Sequence, residues 1–259
     1  MKFKSRDFII GIIIIITVVG LFIWQINRER NVERRELASR IRELSPTGGI
    51  PRNDDDLLKA IKLYEAQIEI NIRDGVQTGT YWKILARRFA DKGMHLLALE
   101  ALDNAKRFNA EDPALYCWEG ESALAVARSI TGYTRENIDE KVKFYNRAEI
   151  AFNRSIELDR DYANPRIGLG TMLTIDLDRP SEAISHLERF LQINTTDING
   201  MFVLAQAYYV TANSEGTSAS RAFELNQRAI ELYDRIISRS NNPQVIQEAE
   251  KNKNIVRNY

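Results

Sequence analysis

Small side chains recur at two fixed spacings through the middle of this sequence, and this regularity restricts the chain to few folds. Positions seven residues apart pair as Ala98 with Ala105, Ala148 with Ser155, Ala183 with Phe190, and Ala222 with Ala229, and Phe190 is the one large residue among them. Steps of 15 residues then connect Ala105 to Gly120, Ser155 to Gly170, and Phe190 to Ala205. Residues seven apart lie on one face of an α-helix, where small side chains let a second helix approach closely. The regularity therefore predicts a stack of helix pairs in which each repeat buries its apolar face against its neighbours.

The most complete copy of the pattern lies at residues 79–112. It carries Trp82, Leu85, Ala86, Phe89, Gly93, Ala98, Leu102 and Ala105. This set resembles the tetratricopeptide repeat (TPR), whose first helix has the pattern Trp-x2-Leu-Gly-x2-Tyr and whose second helix carries small residues. The resemblance implies an all-α fold, an α-solenoid of about four TPR-like helix pairs at about 79–112, 113–162, 163–197 and 198–236.

The resemblance also assigns packing roles to particular positions. The predicted packing residues are Trp82, Leu85, Ala86, Phe89, Gly93, Ala98, Ala105, Gly120, Ala148, Gly170, Ala183, Ala205, Tyr208, Ala222 and Ala229. Phe190 stands where a small residue is expected, so we predict that the third repeat packs differently at that point.

Length variation is confined to the turn between the two helices of a pair. The number of residues from the glycine position of the first helix to the first small position of the second helix is normally 12, and the four repeats have 12, 28, 13 and 17. About 16 extra residues enter near Arg128 to Val142, and about five enter near 213–218. Extra helical turns, a loop and a partner-binding edge are all open interpretations of these insertions.

Capping helices are predicted on both sides of the repeats, at 54–74 and 243–257, which gives a TPR-like domain at 52–259. The first has Leu57, Ile61, Tyr64, Ile68 and Ile72 on one face, and the second has Val245, Ile246, Ala249 and Val256 on one face. Three aspartates, 54–56, precede the first apolar residue. We interpret them as acidic residues at a helix N-terminus, and a cation site is the alternative.

The N-terminal part predicts a membrane anchor. A basic tail at 1–7 precedes residues 8–27, which carry no charge and are long enough as a helix to cross about 30 Å of hydrocarbon. A cleaved signal peptide is the alternative, but no small-x-small cleavage site follows the apolar run. Residues 28–51 then predict a charged juxtamembrane helix and a linker, with a short coiled coil as the alternative for Leu37, Ile41 and Leu44.

The orientation of this anchor depends on the basic residues on its two sides and on the length of the domain that follows it. Arg28, Arg30 and further arginines follow the span and would place the repeats in the cytoplasm by the positive-inside rule. Long domains translocate largely regardless of charge, so we expect a single-pass protein whose repeats are extracytoplasmic, on the periplasmic side.

Composition and motifs argue against catalysis, metal and nucleic acid. Lys and Arg total 36 and so do Asp and Glu, so no excess of cations is available for phosphates. His95, His186 and the only cysteine, Cys117, are too few for a zinc site, and we interpret the histidines as surface or helix-face residues and the thiol as a small buried or groove residue. The Gly168-Leu-Gly170 segment lacks the third glycine and the preceding strand of a dinucleotide motif. We therefore expect no enzyme, no cofactor and no metal.

A partner-binding groove is the functional site that the TPR resemblance implies. Its inward-facing positions are Lys83, Arg87, Glu121, Asn164, Thr171, Asn199, Phe202, Gln206 and Tyr209. The family's carboxylate clamp for chaperone tails matches only at Lys83, because Arg87, Trp118, Asn164 and Gly168 occupy the other places.

The sequence thus predicts a membrane-tethered scaffold that binds a peptide or helix of another protein within an envelope complex. One alternative is a subunit of a ring or collar around membrane machinery, as a homo- or hetero-oligomer. Another is an enzyme of an unrecognised kind.

Overall fold

The structure is a computed structural model that describes residues 28, 31–32, 35–37, 39–40 and 54–258. The helices within residues 54–258 are α1 Asp54–Asp91, α2 His95–Lys106, α3 Pro113–Ser129, α4 Arg135–Leu158, α5 Asn164–Thr171, α6 Pro180–Ile193, α7 Ile198–Ala212, α8 Ala219–Arg239 and α9 Pro243–Arg257. A π-helical turn, Met172–Asp176, follows α5. No strand occurs in the described ranges, which confirms the predicted all-α class.

The predicted anchor at 8–27, the basic tail and the linker up to residue 53 lie outside the described residues. The described positions between 28 and 40 are helical, and an ion pair joins Arg40 to Glu36 there. None of the helices that the structure describes is both long and apolar enough to cross a membrane.

The chain divides into two units between Val76 and Gln77, a point within α1. In the first unit, α1 exposes Leu58, Ile61, Ile68 and Ile72. The structure differs here from the sequence prediction of a separate cap helix at 54–74, because α1 continues without a break to Asp91. Gly75 and Gly79 lie where the two predicted elements meet, and an isolated glycine costs a helix only about 1 kcal/mol relative to alanine.

The second unit, residues 77–258, is a succession of packed helices. Each helix from α2 to α9 packs against the next along the chain, and α5 also contacts α3 and α7. The core of this unit is built around small residues that admit large ones. Phe152 of α4 is fully buried, and a Cβ at Gly120 or Gly168 would lie within 2.7 Å of its ring. The glycines of α3 and α5 therefore leave the space that this ring fills.

The predicted packing positions differ in their burial. Buried positions are Ala86, Ala98, Ala105, Gly120, Ala148, Gly170, Ala183, Ala205, Tyr208 and Ala229, and half-buried ones are Trp82, Leu85, Phe89 and Ala222. Gly93 is exposed, and nothing lies within 4 Å of the place that its Cβ would occupy. The packing role predicted for Gly93 is therefore wrong. This glycine adopts φ +73° in the turn after α1, a conformation that a residue with a Cβ rarely takes.

Phe190, the large residue at a predicted small position, is buried on α6. Its ring faces Gly200 near the start of α7, where an added Cβ would lie 2.6 Å from Phe190 Cε1. The large residue lies on the second helix of the pair and the small one on the following helix, as with Phe152 of α4 and Gly168 of α5.

The first insertion consists mainly of extra helix. Helix α3 reaches Ser129 and α4 begins at Arg135, with Thr134 as the N-cap whose Oγ1 accepts a hydrogen bond from Asn137 N. The connecting loop carries Tyr133, which is 96% exposed. The second insertion is a loop that ends at the N-cap Ser218 of α8.

The π-helical turn distinguishes the third pair from the others. Thr174 Oγ1 donates a hydrogen bond to Gly170 O at 2.8 Å within it. Asp176, its last residue, accepts hydrogen bonds from Arg128 Nε and Nη2 at 3.0 and 2.6 Å and from Tyr145 Oη at 3.3 Å. The turn therefore joins α5 to the elongated ends of α3 and α4.

Candidate functional site

A cavity of about 500 Å³ lies between α7 and α9 and is termed the C-terminal cavity here. Its lining residues are Ile175, Asn199, Phe202, Val203, Gln206, Tyr209, Tyr233, Glu248, Asn252, Ile255 and Val256. The residues from α7 follow helical spacing, so that one face of this helix forms a continuous wall. Four residues predicted from the sequence to face a groove are brought together in this wall, namely Asn199, Phe202, Gln206 and Tyr209.

Aromatic rings form much of this cavity. Phe202 and Tyr233 contact edge to face, with ring centroids 6.1 Å apart and an interplanar angle of 61°. Burial raises the pKa of Tyr233 to about 12, and the negative charge of Glu248 and the neighbouring Tyr209 act in the same direction. The Tyr233 phenol is therefore neutral at physiological pH, and the cavity presents uncharged rings.

One carboxylate lies among these rings and amides. Glu248 projects from α9, and its neighbours in the lining include the amides of Asn199, Gln206 and Asn252. No lysine or arginine lines the cavity, and within residues 54–258 Glu248 forms no ion pair. The site is thus electronegative, aromatic and rich in groups that can both donate and accept hydrogen bonds.

Three other predicted groove residues, Lys83, Arg87 and Glu121, gather around Trp118 on α3, and this group is termed the Trp118 cluster. Lys83 Nζ lies 5.2 Å and Arg87 Cζ 5.6 Å from the centroid of the Trp118 ring. Lys83 also pairs with Asp112, and Arg87 pairs with Asp91 at 3.0 Å and with Glu121 at 4.0 Å. Both cations are therefore engaged within the chain itself.

A smaller cavity of about 180 Å³ adjoins the Trp118 cluster. Its lining includes Arg87, Asp91, His95, Trp118 and Glu121. His95 and His186, interpreted from the sequence as surface or helix-face residues, are both half-buried, and each has a buried Nδ1 without a partner in the described part of the chain. Both lie on helices that pack against others on one side, which periodicity alone does not reveal.

Cys117 is fully buried beside this cluster, and its Sγ donates a hydrogen bond to Glu121 Oε1 at 3.7 Å. Burial is the main reason why its pKa rises to about 12, and the carboxylate of Glu121 adds to the effect. A protonated, inaccessible thiol cannot act as a nucleophile.

The last two predicted groove residues lie apart from both cavities. Asn164 is exposed at the first turn of α5, and Thr171 is half-buried at the end of the same helix. Neither lines the C-terminal cavity or the cavity at the Trp118 cluster.

Sequence reasoning missed a cleft of about 880 Å³ along α4, termed the outer cleft. Val142 and Ile150 line it, and Ile150 is 71% exposed. Below them lies Glu119, only 6% exposed, which accepts hydrogen bonds from Arg147 Nε at 2.9 Å and Lys106 Nζ at 2.7 Å. The three charges are far apart in sequence, so that only the fold brings them together.

No metal site was found among the described residues, in which no three His, Cys, Asp or Glu side chains cluster suitably. Neither the known protein-family models nor the curated proteins contain a match to this sequence.

Solved structures do resemble it. A TPR protein of Thermus thermophilus superposes with a TM-score of 0.51 at 16% identity, over 75% of this chain and 93% of that chain. YrrB, a TPR protein with an unusual peptide-binding site, gives 0.47 at 17% identity, over 76% and 84% of the two chains. MamA from Desulfovibrio magneticus gives 0.45 at 16% identity, over 70% and 94%. At 16% identity, the first of these likenesses shows the fold, and it confirms that the fold is TPR-like.

Proposed function

We propose that this chain is a protein-binding scaffold that holds a segment of a partner protein in the C-terminal cavity. The observation that carries the proposal is the convergence of Asn199, Phe202, Gln206 and Tyr209 on that cavity. The TPR resemblance implies that these positions face a groove, and the face of α7 that carries them is part of the cavity lining, which supports the proposal. Amides and rings in a recess can bind main-chain groups and apolar side chains together.

The scaffold is proposed to be tethered to a membrane through residues 8–27, with the repeats on the periplasmic side as part of an envelope complex. Support for this comes from the sequence, in which 20 uncharged residues follow a basic tail. We propose no catalytic role, because the only thiol is buried and the charged groups of the Trp118 cluster are paired within the chain.

Site-specific photocrosslinking in intact cells tests this function. The full chain would carry a photoreactive phenylalanine at Gln206 in the cavity, or at Gln227, an exposed residue of α8, as the matched control. We expect a discrete protein adduct from position 206 that Phe202→Ala abolishes. Adducts of the same size from both positions, or an adduct unaffected by Phe202→Ala, would contradict the proposal.

A second candidate function, a subunit of a ring or collar, is favoured by the outer cleft. Exposed apolar residues there, Val142 and Ile150, lie beside a buried charge network, as in surfaces that pack between copies. Sedimentation of the full chain in detergent would show discrete oligomers that Ile150→Glu dissociates. A strict monomer over the whole concentration range would exclude this candidate.

A further inference from the structure

The C-terminal cavity and the Trp118 cluster both place carboxylates and aromatic side chains together. The Trp118 cluster has one ring, Trp118, with Asp91 and Glu121 beside it, whereas the C-terminal cavity has three rings and one carboxylate, Glu248. In the Trp118 cluster, the chain's own Lys83 and Arg87 lie near the ring face and pair with the carboxylates. In the C-terminal cavity no lysine or arginine of the described residues is part of the lining, and Glu248 forms no ion pair there.

This difference has an electrostatic consequence. A carboxylate next to aromatic ring faces attracts a cation twice, through its own charge and through the negative faces of the rings. Glu248 acts in this way on the cavity from one side, and Phe202, Tyr209 and Tyr233 line the same space. The Tyr233 phenol keeps its proton at physiological pH, so that Glu248 is the group with a full negative charge in the lining.

The amides in the lining indicate the backbone conformation of the segment that carries the cation. Asn199, Gln206 and Asn252 each offer a donor and an acceptor to the cavity. An extended segment has free main-chain N–H and C=O groups that match these amides, whereas a helix satisfies its own main-chain groups internally. Ile175 and Ile255, both exposed, provide apolar surface next to this polar wall.

We infer that the C-terminal cavity binds an extended segment of a partner protein through a lysine or arginine side chain with an apolar residue beside it. The cationic head contacts Glu248 and the aromatic rings, the amides of α7 and α9 hold the main chain, and the apolar neighbour covers Ile175 or Ile255. This inference rests on the proposed function and specifies the chemistry of the partner.

A random-peptide selection tests the inference with the full chain reconstituted in nanodiscs. Phage-displayed dodecapeptides would be selected on the native chain after depletion on the Phe202→Ala variant. We expect the survivors to share one lysine or arginine next to an apolar residue. For a synthetic survivor, Glu248→Gln should weaken binding about tenfold, the loss typical of a removed charge-assisted contact.

Matched substitutions in the chain and in the peptide distinguish the contribution of charge to binding from that of side-chain shape. Glu250→Gln, an exposed change on the same helix outside the cavity, should leave binding unchanged. Replacing the peptide lysine with norleucine should cost as much as Glu248→Gln, and the two changes together should cost no more than either alone. Higher salt should weaken binding to the native chain and affect the Glu248→Gln variant less.

The outcomes distinguish a failure of this inference from a failure of the proposed function on which it rests. Survivors that depend on Phe202 but show no basic residue, or that bind equally well to Glu248→Gln, would overturn the inference and leave the proposed function standing. A selection with no survivor that depends on Phe202 would overturn both. The full chain could instead self-associate through the arginines that follow its predicted span, beginning at Arg28 and Arg30. If it does, and Glu248→Gln dissociates the oligomer, the assignment to a partner protein is overturned.

Discussion

At the scale of single residues, burial decides what Cys117 can do. Its thiol is fully enclosed and its pKa is raised to about 12, so that it stays protonated in the folded chain at mildly alkaline pH. We expect a thiol-specific disulfide reagent to leave the native chain unmodified and to modify it once denaturant is added. Because the chain has one cysteine, the release of one equivalent of product reports on this site alone. Rapid reaction of the native chain would contradict the burial.

His186 gives a prediction about pH. Burial and, after it, the positive charge of Arg166 lower its pKa below the usual 6.5, while Glu149 and Glu182 oppose the shift. The unfolded chain therefore binds more protons just below pH 6.5, and the free energy of unfolding decreases as the pH falls through that range. The stability that the neutral imidazole provides is present above pH 6.5 and is lost once the pH is below the folded pKa.

The test of this pH effect compares two chains. Urea unfolding at about pH 7.5 and about pH 5.5 gives the free energy for the native chain and for His186→Gln. We expect a smaller decrease on acidification in the variant, since glutamine does not titrate. An equal decrease in both chains would assign the pH dependence to other groups.

At the scale of elements, the contact between α6 and α7 depends on a large residue, Phe190, packing against a small one, Gly200. Gly200→Ala would place a methyl group 2.6 Å from Phe190 Cε1, and overpacking of this kind costs about 1–3 kcal/mol. Alanine also favours a helix over glycine by up to about 1 kcal/mol, which works in the opposite direction. We therefore expect net destabilisation in the native background and a smaller cost when Phe190→Leu removes the ring.

A double-mutant cycle measures this coupling, because the helix preference of alanine is common to both backgrounds and cancels. We expect a coupling of about 1 kcal/mol between positions 190 and 200. Phe152→Leu is the matched control, since Phe152 does not approach Gly200. Coupling as large with position 152 as with position 190 would show that the effect is general loosening of the core.

The same elements show what sequence can predict. Burial of Ala98, Ala148 and Ala183 follows from helical spacing, which is a local property. The accommodation of Phe190 by Gly200 depends on which atoms of two helices meet, and spacing does not contain that information. The exposed glycine at 93 was mistaken for a packing residue because a turn glycine and a close-contact glycine look alike in sequence.

At the scale of the whole molecule, the predicted anchor is the feature that would place the proposed scaffold at a membrane. We expect the full chain to sediment with membranes and to remain there after washing with alkaline carbonate, which removes peripheral proteins. A variant lacking residues 8–27 should appear in the soluble fraction with its helical circular dichroism retained. Recovery of the full chain in the carbonate wash would contradict a spanning anchor.

The candidate site was predictable only in part at this scale. The faces of α7 could be assigned from the repeat pattern, which is how Asn199 and Tyr209 were identified. Glu248 and Asn252 were missed, because they lie on a helix interpreted only as a cap, and Tyr233 was missed because it lies on α8. Their place in the cavity depends on how α8 and α9 pack against α7, which is a property of the assembled unit.

The π-helical turn at Met172–Asp176 has a consequence for the phase of its helix. An α-helix advances by about 100° per residue, so that the one additional residue in a π turn rotates everything after it by about that angle. Ile175 lines the C-terminal cavity and Asp176 pairs with Arg128, and both belong to this turn. We expect the deletion of one residue from the turn to displace both side chains together. The turn therefore connects a wall of the cavity to the ion pair near the end of α3.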